Sequence, residues 1–189
     1  MQQRRRGAEL EDTLLRAAWE ELAETGYAGL TMEGVAARAQ TGKQVLYRRW
    51  RNRPELVVAA MRHNTGSIVQ RIPDTGELRG DVFAVLRHMV RRQREIGPDV
   101  VHGLMAEAYE VDPEFFEIMT GVMTAILVRA AERGEIPTAD VGDRVATVAV
   151  DLVRHEMLLS RHSVSDKTLR EIVDDVFLPL VRAAVARVT

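Results

Sequence analysis

The stretch Thr31-Met-Glu-Gly-Val-Ala-Ala-Arg-Ala-Gln-Thr-Gly-Lys-Gln-Val-Leu-Tyr-Arg-Arg-Trp-Arg-Asn-Arg53 decides how the N-terminal region folds. Thr31 is placed to cap a short helix running to about Ala39, because its hydroxyl can accept from a first-turn amide. Val35, Ala36 and Ala39 form the inner face of that helix and are small enough to let another helix approach closely. Gln40-Thr41-Gly42 is the turn. A further short helix spans roughly Lys43 to Trp50, with Leu46 and Trp50 pointing inward. Two short helices at a steep angle, the second charged almost entirely by Lys and Arg, make a shape that enters the major groove of DNA.

Outward from this stretch the chain still reads as helix. Upstream, Leu10, Leu14, Ala18 and Leu22 recur at every fourth position, with Leu15 and Trp19 widening the stripe, which predicts a helix over about Ala8 to Thr25. Gly26 supplies the left-handed residue that ends it, and Tyr27 is placed to fold back on Leu22. Downstream, Asn52 and Glu55 form a capping box with Pro54 in the first turn. That fourth helix should continue through Leu56, Val57, Ala60 and Met61 towards Ile68 and Ile72, until Pro73 to Gly76 break it. Beyond the break apolar residues keep helical spacing to the C-terminus, and Ser165 is a cap for the last helix. The expected fold is all-α, with about nine helices. A three-helix DNA-binding head over 1–55 should precede a helical body over 56–189.

Composition agrees with helix-on-helix packing. Of 189 residues, 46% are apolar and 29% charged, but only 5% are aromatic, and eight are Met. The absence of Cys excludes disulfides, thiolate metal sites and Cys nucleophiles. The N-terminus lacks the apolar run of a secretory signal, and no stretch is long and apolar enough to span a bilayer, so the expected location is the cytoplasm with no membrane partner.

Charge is divided unevenly. Residues 1–53 hold ten Lys/Arg against seven Asp/Glu, and the remainder sixteen against twenty-one, so a basic head sits on an acidic body. Lys43, Arg48, Arg49, Arg51 and Arg53 are candidates for phosphate contacts, which give sequence-independent, salt-sensitive affinity. Lys43, Gln44 and Tyr47 lie opposite Leu46 and Trp50 and are the candidate readers of base edges. An Arg4-Arg5-Arg6 arm precedes the first helix, and Arg5 and Arg6 join the candidate DNA contacts. Thr31, Met32, Thr41 and Gly42, at the starts of the two short helices, complete that set. The expected partner is a double-stranded operator.

Catalytic chemistry does not assemble. His155-Glu156 lacks the second His of a zinc-protease helix, and Thr41-Gly42-Lys43 lacks the earlier Gly and following Ser/Thr of a phosphate loop. Neither a catalytic residue nor a metal ligand can be singled out, and no cofactor is expected.

Residues 10–60 resemble the DNA-binding head of the TetR family of bacterial transcriptional regulators. The likeness is carried by Gly26-Tyr27, Thr31, Val35-Ala36, Ala39, Leu46-Tyr47, Trp50 and Arg53-Pro54-Glu55-Leu56. In the turn, the family usually has Gly, an apolar residue and Ser where this chain has Gln40, Thr41 and Gly42, so Thr41 is expected to supply the capping hydroxyl one position early. The resemblance implies a homodimeric, ligand-responsive regulator, with a pocket in the middle helices and a dimer interface in the last two.

The residues themselves offer candidates for both. Phe83, Met89, His102, Met105, Tyr109, Phe116, Met119 and Met123 form an adaptable set suited to a small apolar or amphipathic ligand. Val148, Leu152, His155 and Leu159 on one helix, with Leu169, Ile172, Val176 and Leu180 on the next, would form a four-helix bundle across a twofold axis. Two other readings remain open from sequence: a helical module acting through a protein partner, and a small all-α carrier or enzyme.

Overall fold

Helical signals dominate the chain, and a computed structural model of the protein turns them into helices. It describes residues 2–65, 68–107, 113–159 and 163–187, with the side chains of 2–6, 65, 69, 70 and 113–116 excepted. The architecture is all-α. Contacts divide the chain into two units, one of 1–67 with 99–112 and one of 68–98 with 113–189. The first is therefore larger than the head expected over 1–55, because it includes a helix from far along the chain.

In the first unit α1 covers Gln2–Gly29, interrupted at Gly26, whose φ of 69° is the left-handed conformation that glycine adopts without steric cost. Leu14, Leu15, Ala18 and Leu22 form its buried face. The next helix, α2 (Met32–Arg38), starts where Thr31 Oγ1 accepts from the Gly34 amide at 3.0 Å. A short α3 (Lys43–Tyr47) follows and stops before Trp50. Then α4 (Arg53–Thr65) opens on Asn52, whose side-chain oxygen accepts from the Glu55 amide at 2.9 Å, and packs along α1. It ends at Thr65 rather than running on to Ile72; Ile68–Arg71 is a separate turn of 3₁₀ helix. The remaining helix of this unit is α6 (Pro98–Ala106).

In the second unit α5 (Leu78–Ile96), α7 (Pro113–Glu132) and α8 (Asp143–Leu159) pack around a core that includes Val82, Leu86, Met123, Ile126, Val150 and Val153. The last rod begins as α9 (Asp166–Glu171), capped by Ser165, whose hydroxyl accepts from the Thr168 amide at 3.1 Å. It widens into a π-helical stretch, Ile172–Phe177, and continues as α10 (Leu178–Val185). Pro179 follows the wide turns at once, and its missing amide removes an ordinary i→i−4 bond there. Asp81, fully buried in α5, accepts from the Thr75 hydroxyl at 2.8 Å and from Arg133 at 3.1 Å, which fixes the turn before α5. Among the described residues no helix is long and apolar enough to cross a membrane.

Candidate nucleic-acid interface

Two devices fix α2 before α3 can present anything. A Cβ at Gly34 would lie 2.5 Å from the Glu21 carboxylate, so the absence of a side chain lets α2 cross α1 closely. At the other end of α2, Arg38 pairs with Glu21 at 2.8 Å and also with Glu24. The turn then forms a Schellman motif: the Thr41 amide donates to the Ala36 carbonyl at 2.9 Å and the Gln40 amide to that of Ala37 at 3.0 Å. Its left-handed residue is Gln40, with φ of 52°, in a place that usually belongs to glycine.

Thr41 does not cap α3, contrary to expectation. The N-cap is Gly42, whose carbonyl accepts from the Val45 amide at 2.9 Å, with no side-chain capping bond. The Schellman turn consumes Thr41 as its final residue, which moves the helix start one position on.

Leu46 and Trp50 are buried, as their spacing predicts, and anchor α3 from beneath. Lys43, Gln44 and Tyr47 remain exposed, Tyr47 at 48%. Arg48 and Arg49 follow them into solvent, and neither has a carboxylate partner among the described residues. Lys43 lies 3.3 Å from Glu33, with both side chains 60% exposed, a pairing weak enough to exchange for a phosphate. Glu33 is held below the usual carboxylate range, first by a bond to its own amide and then by Lys43. The Arg51 amide donates to Glu55 at 2.8 Å and its guanidinium pairs with the same carboxylate, while the side chain stays largely exposed. The surface is thus a small, firmly supported protrusion of cations and donors.

Two of the expected contacts belong elsewhere. Met32 is 5% exposed and packs into the core as the first residue of α2, so it presents nothing to a ligand. Arg53 is turned inward: it pairs with Glu107, and its guanidinium lies 4.6 Å from the Tyr27 ring centroid. The Tyr27 hydroxyl donates to the other Glu107 oxygen at 3.0 Å. Burial, then that carboxylate, push the Tyr27 phenol far above its ordinary pKa. A Cβ at Gly103 would lie 2.1 Å from the Tyr27 ring, so α6 is docked on this cluster as closely as a helix can be. Sequence reasoning missed Glu107 entirely; nothing local distinguishes an acid 54 residues from its arginine. The side chains of Arg5 and Arg6 lie outside the described residues.

The expected pocket set is not gathered in one unit. His102 and Met105 are half-buried in the first unit, and Phe83, Met89 and Met119 are half-buried in the second, where Met123 is wholly core. Phe83 carries the Arg170 guanidinium 5.8 Å from its ring centroid. Tyr109 and the side chain of Phe116 lie outside the described residues. None of the six described ones lines a cavity of about 770 Å³ between Ile68–Arg71 and α5. No group of three His, Asp or Glu among the described residues is arranged to hold a metal ion.

Of the expected dimer contacts, Leu169 and Ile172 need correction. Both are buried within the second unit, on the face of the last rod that also carries Val173, Phe177 and Val181. Val148, Leu152 and Val176 are half-buried and His155 exposed, while Leu180 is 40% and Leu159 71% exposed. A partly uncovered stripe therefore remains on α8 and the last rod.

Comparison with known proteins places two stretches of the chain in one group. Residues 14–60 match the model for bacterial regulatory proteins of the tetR family, and residues 72–176 match that for the tetracyclin repressor-like C-terminal domain. A DNA-binding transcriptional repressor TetR of Mycobacteroides abscessus is 31% identical, the alignment covering 94% of this chain and 96% of that one. An uncharacterised HTH-type transcriptional regulator of Mycobacterium bovis is 28% identical over 89% of this chain and 86% of its own length. Among solved structures, a TetR family transcription regulator superposes with a TM-score of 0.67 at 24% identity, covering 89% of this chain and 97% of the other.

Proposed function

This protein belongs to the TetR family and is a DNA-binding transcriptional regulator, and we propose that it is a cytoplasmic repressor that holds a palindromic operator as a homodimer until a small ligand binds its body. The observation that carries this reading is the exposed face of α3. Lys43, Gln44 and Tyr47 stand clear of the core on a helix anchored by Leu46 and Trp50, with Arg48 and Arg49 beside them. Gln44 suits an adenine edge and Lys43 a guanine, while Arg48, Arg49 and Arg51 supply phosphate affinity. Thr31, Thr41 and Gly42, at the rim of the same surface, lie where backbone phosphates would pass.

Dimerisation is supported by the apolar stripe of Val148, Leu152, Leu159, Val176 and Leu180, which a second copy would cover. Two heads on one twofold axis then meet successive major grooves, about 34 Å apart. Chain connectivity supports ligand release. Only Gly97, with φ of 99°, separates α5 from α6, and α6 is held against Tyr27 and Arg53 of the head's own unit. A ligand that binds better when α5 is displaced would pull on α6 and so on the head, by the difference between its two affinities.

Mobility-shift titrations of the intact protein test the reading. Arg48→Ala should weaken binding to every duplex, and Gln44→Ala should erode preference among sequences. Parental behaviour by both variants at moderate salt would remove α3 as the contacting element.

A further inference from the structure

The body is acidic as a whole, yet one concave part of its surface is basic. Arg87, Arg91 and Arg94 recur along α5 at intervals of four and three, which places them on one face of the helix. Arg71, from the 3₁₀ turn at Ile68–Arg71, joins them around the cavity of about 770 Å³, a volume within the ordinary range for small-molecule sites. Among the described residues its lining holds a single carboxylate, Asp166.

Internal compensation is poor. Asp166 stands 3.8 Å from Arg87, and Glu95, half exposed, stands 3.6 Å from Arg91 while also reaching Arg92. Arg94 donates to the neutral hydroxyl of Ser163, and Arg71 has no partner among the described residues. Like charges spaced along one helix face destabilise it, so such a row calls for an anion from outside. His88 adds a donor: its Nδ1 faces the Arg91 guanidinium at 3.2 Å, which leaves Nε2 to carry the proton. Apolar atoms complete the wall, from Ile68, Pro73, Ala84 and the buried Val90.

We propose that this cavity binds an amphipathic anion, an apolar chain ending in a phosphate or another oxyanion, with Arg71, Arg87, Arg91 and Arg94 around the head group and Ile68, Pro73, Ala84 and Val90 along the chain. The proposal names a site and a ligand class for the ligand-responsive reading above, on which its regulatory consequence, though not binding itself, depends. Neither half of the lining suffices alone. Exposed guanidinium groups hold free phosphate weakly in water, and so small an apolar wall holds a short hydrocarbon weakly.

Calorimetry on the intact protein with decyl phosphate, inorganic phosphate and decanol, each below its aggregation limit, tests this. Decyl phosphate should bind at least tenfold more tightly than either other probe. The double variant Arg87→Gln/Arg91→Gln should lose at least tenfold of that affinity, with helical content and binding of decanol unchanged. Should that variant fail to fold, Arg71→Gln, outside the long helices, should still cost several-fold. Equal affinities for decyl phosphate and decanol, or parental affinity in these variants, would overturn the site; inorganic phosphate binding as tightly as decyl phosphate would overturn the amphipathic ligand. A mobility shift with decyl phosphate present separates the two claims. Tight calorimetric binding with duplex affinity unchanged would sustain the site and count against ligand-driven release.

Discussion

Residues 48–53 and 87–94 each carry four arginines, and the structure places the two sets in different surroundings. The first set follows a short helix that protrudes from the head. There Arg48 and Arg49 point into solvent, Arg51 is tied to Glu55, and Arg53 is drawn inward by Glu107. In the second, Arg87, Arg91 and Arg94 line a concavity with Arg71, while Arg92 is largely buried. Equal charge along the chain therefore does not mean equal partners. A convex row suits the extended backbone of a duplex, whereas a concave one suits a single anion that brings its own apolar part.

The largest expected effect would separate the two rows. The double variant Arg48→Ala/Arg49→Ala should lose about 100-fold in duplex affinity at moderate salt, with a salt slope shallower by about two. The body variant Arg87→Gln/Arg91→Gln should bind duplex like the parent without ligand. Filter binding across a salt series reads both, and comparable losses would dissolve the distinction.

Next in size is the contact that sets Arg53 apart from its neighbours. Gly103→Ala would drive a methyl group into the Tyr27 ring, at a cost of about 2 kcal/mol. Thermal denaturation should show a melting point lower by about 4–8 °C. An unchanged melting point would mean that α6 is not held to Tyr27 and Arg53 in solution.

A smaller effect of opposite sign is expected in the turn that aims α3. Gln40→Gly should relieve the left-handed residue and stabilise the protein by about 0.5–1 kcal/mol, offset in part by glycine's greater freedom when unfolded. A fall in melting point on this substitution would contradict the Schellman geometry.

The smallest prediction concerns the basic cavity. Burial, then Arg91 and Arg92, hold His88 below its ordinary pKa of 6.5. The unfolded chain therefore takes up this proton first as pH falls. Stability from this group is complete above pH 6.5 and declines as pH drops through that value towards the folded pKa. Melting points between pH 7.5 and 5.5 should fall by about a degree or two more in the parent than in His88→Gln. Parallel curves would show that neither burial nor these arginines hold His88 below its ordinary value.

What was legible in the sequence was local chemistry. Thr31, Asn52 with Glu55, Gly26 and Ser165 announce helix ends within four residues of themselves, and Leu46 and Trp50 announce an inner face by spacing. Arg53 and Met32 were not legible as inward residues. The first is decided by an acid just past the end of α6, and the second by how α2 packs once it has formed. Leu169 and Ile172 show the same limit in the body: a wide apolar stripe states that something is covered, not whether this chain or a second copy covers it. The arginines of α5 were visible as letters, but a solvated helix face has the same spelling. Only the opposing 3₁₀ turn makes them a site.

The claim on which the rest depends is that α3 reads DNA in a twofold frame. Selection of bound duplexes from a random pool by the intact protein tests it most directly. The enriched sequences should contain two inverted half-sites with centres about one helical turn, 10–10.5 base pairs, or a multiple of it apart. Enrichment should disappear with Arg48→Ala/Arg49→Ala. A pool that emerges unselected, or one enriched in a single unrepeated motif, would contradict the account.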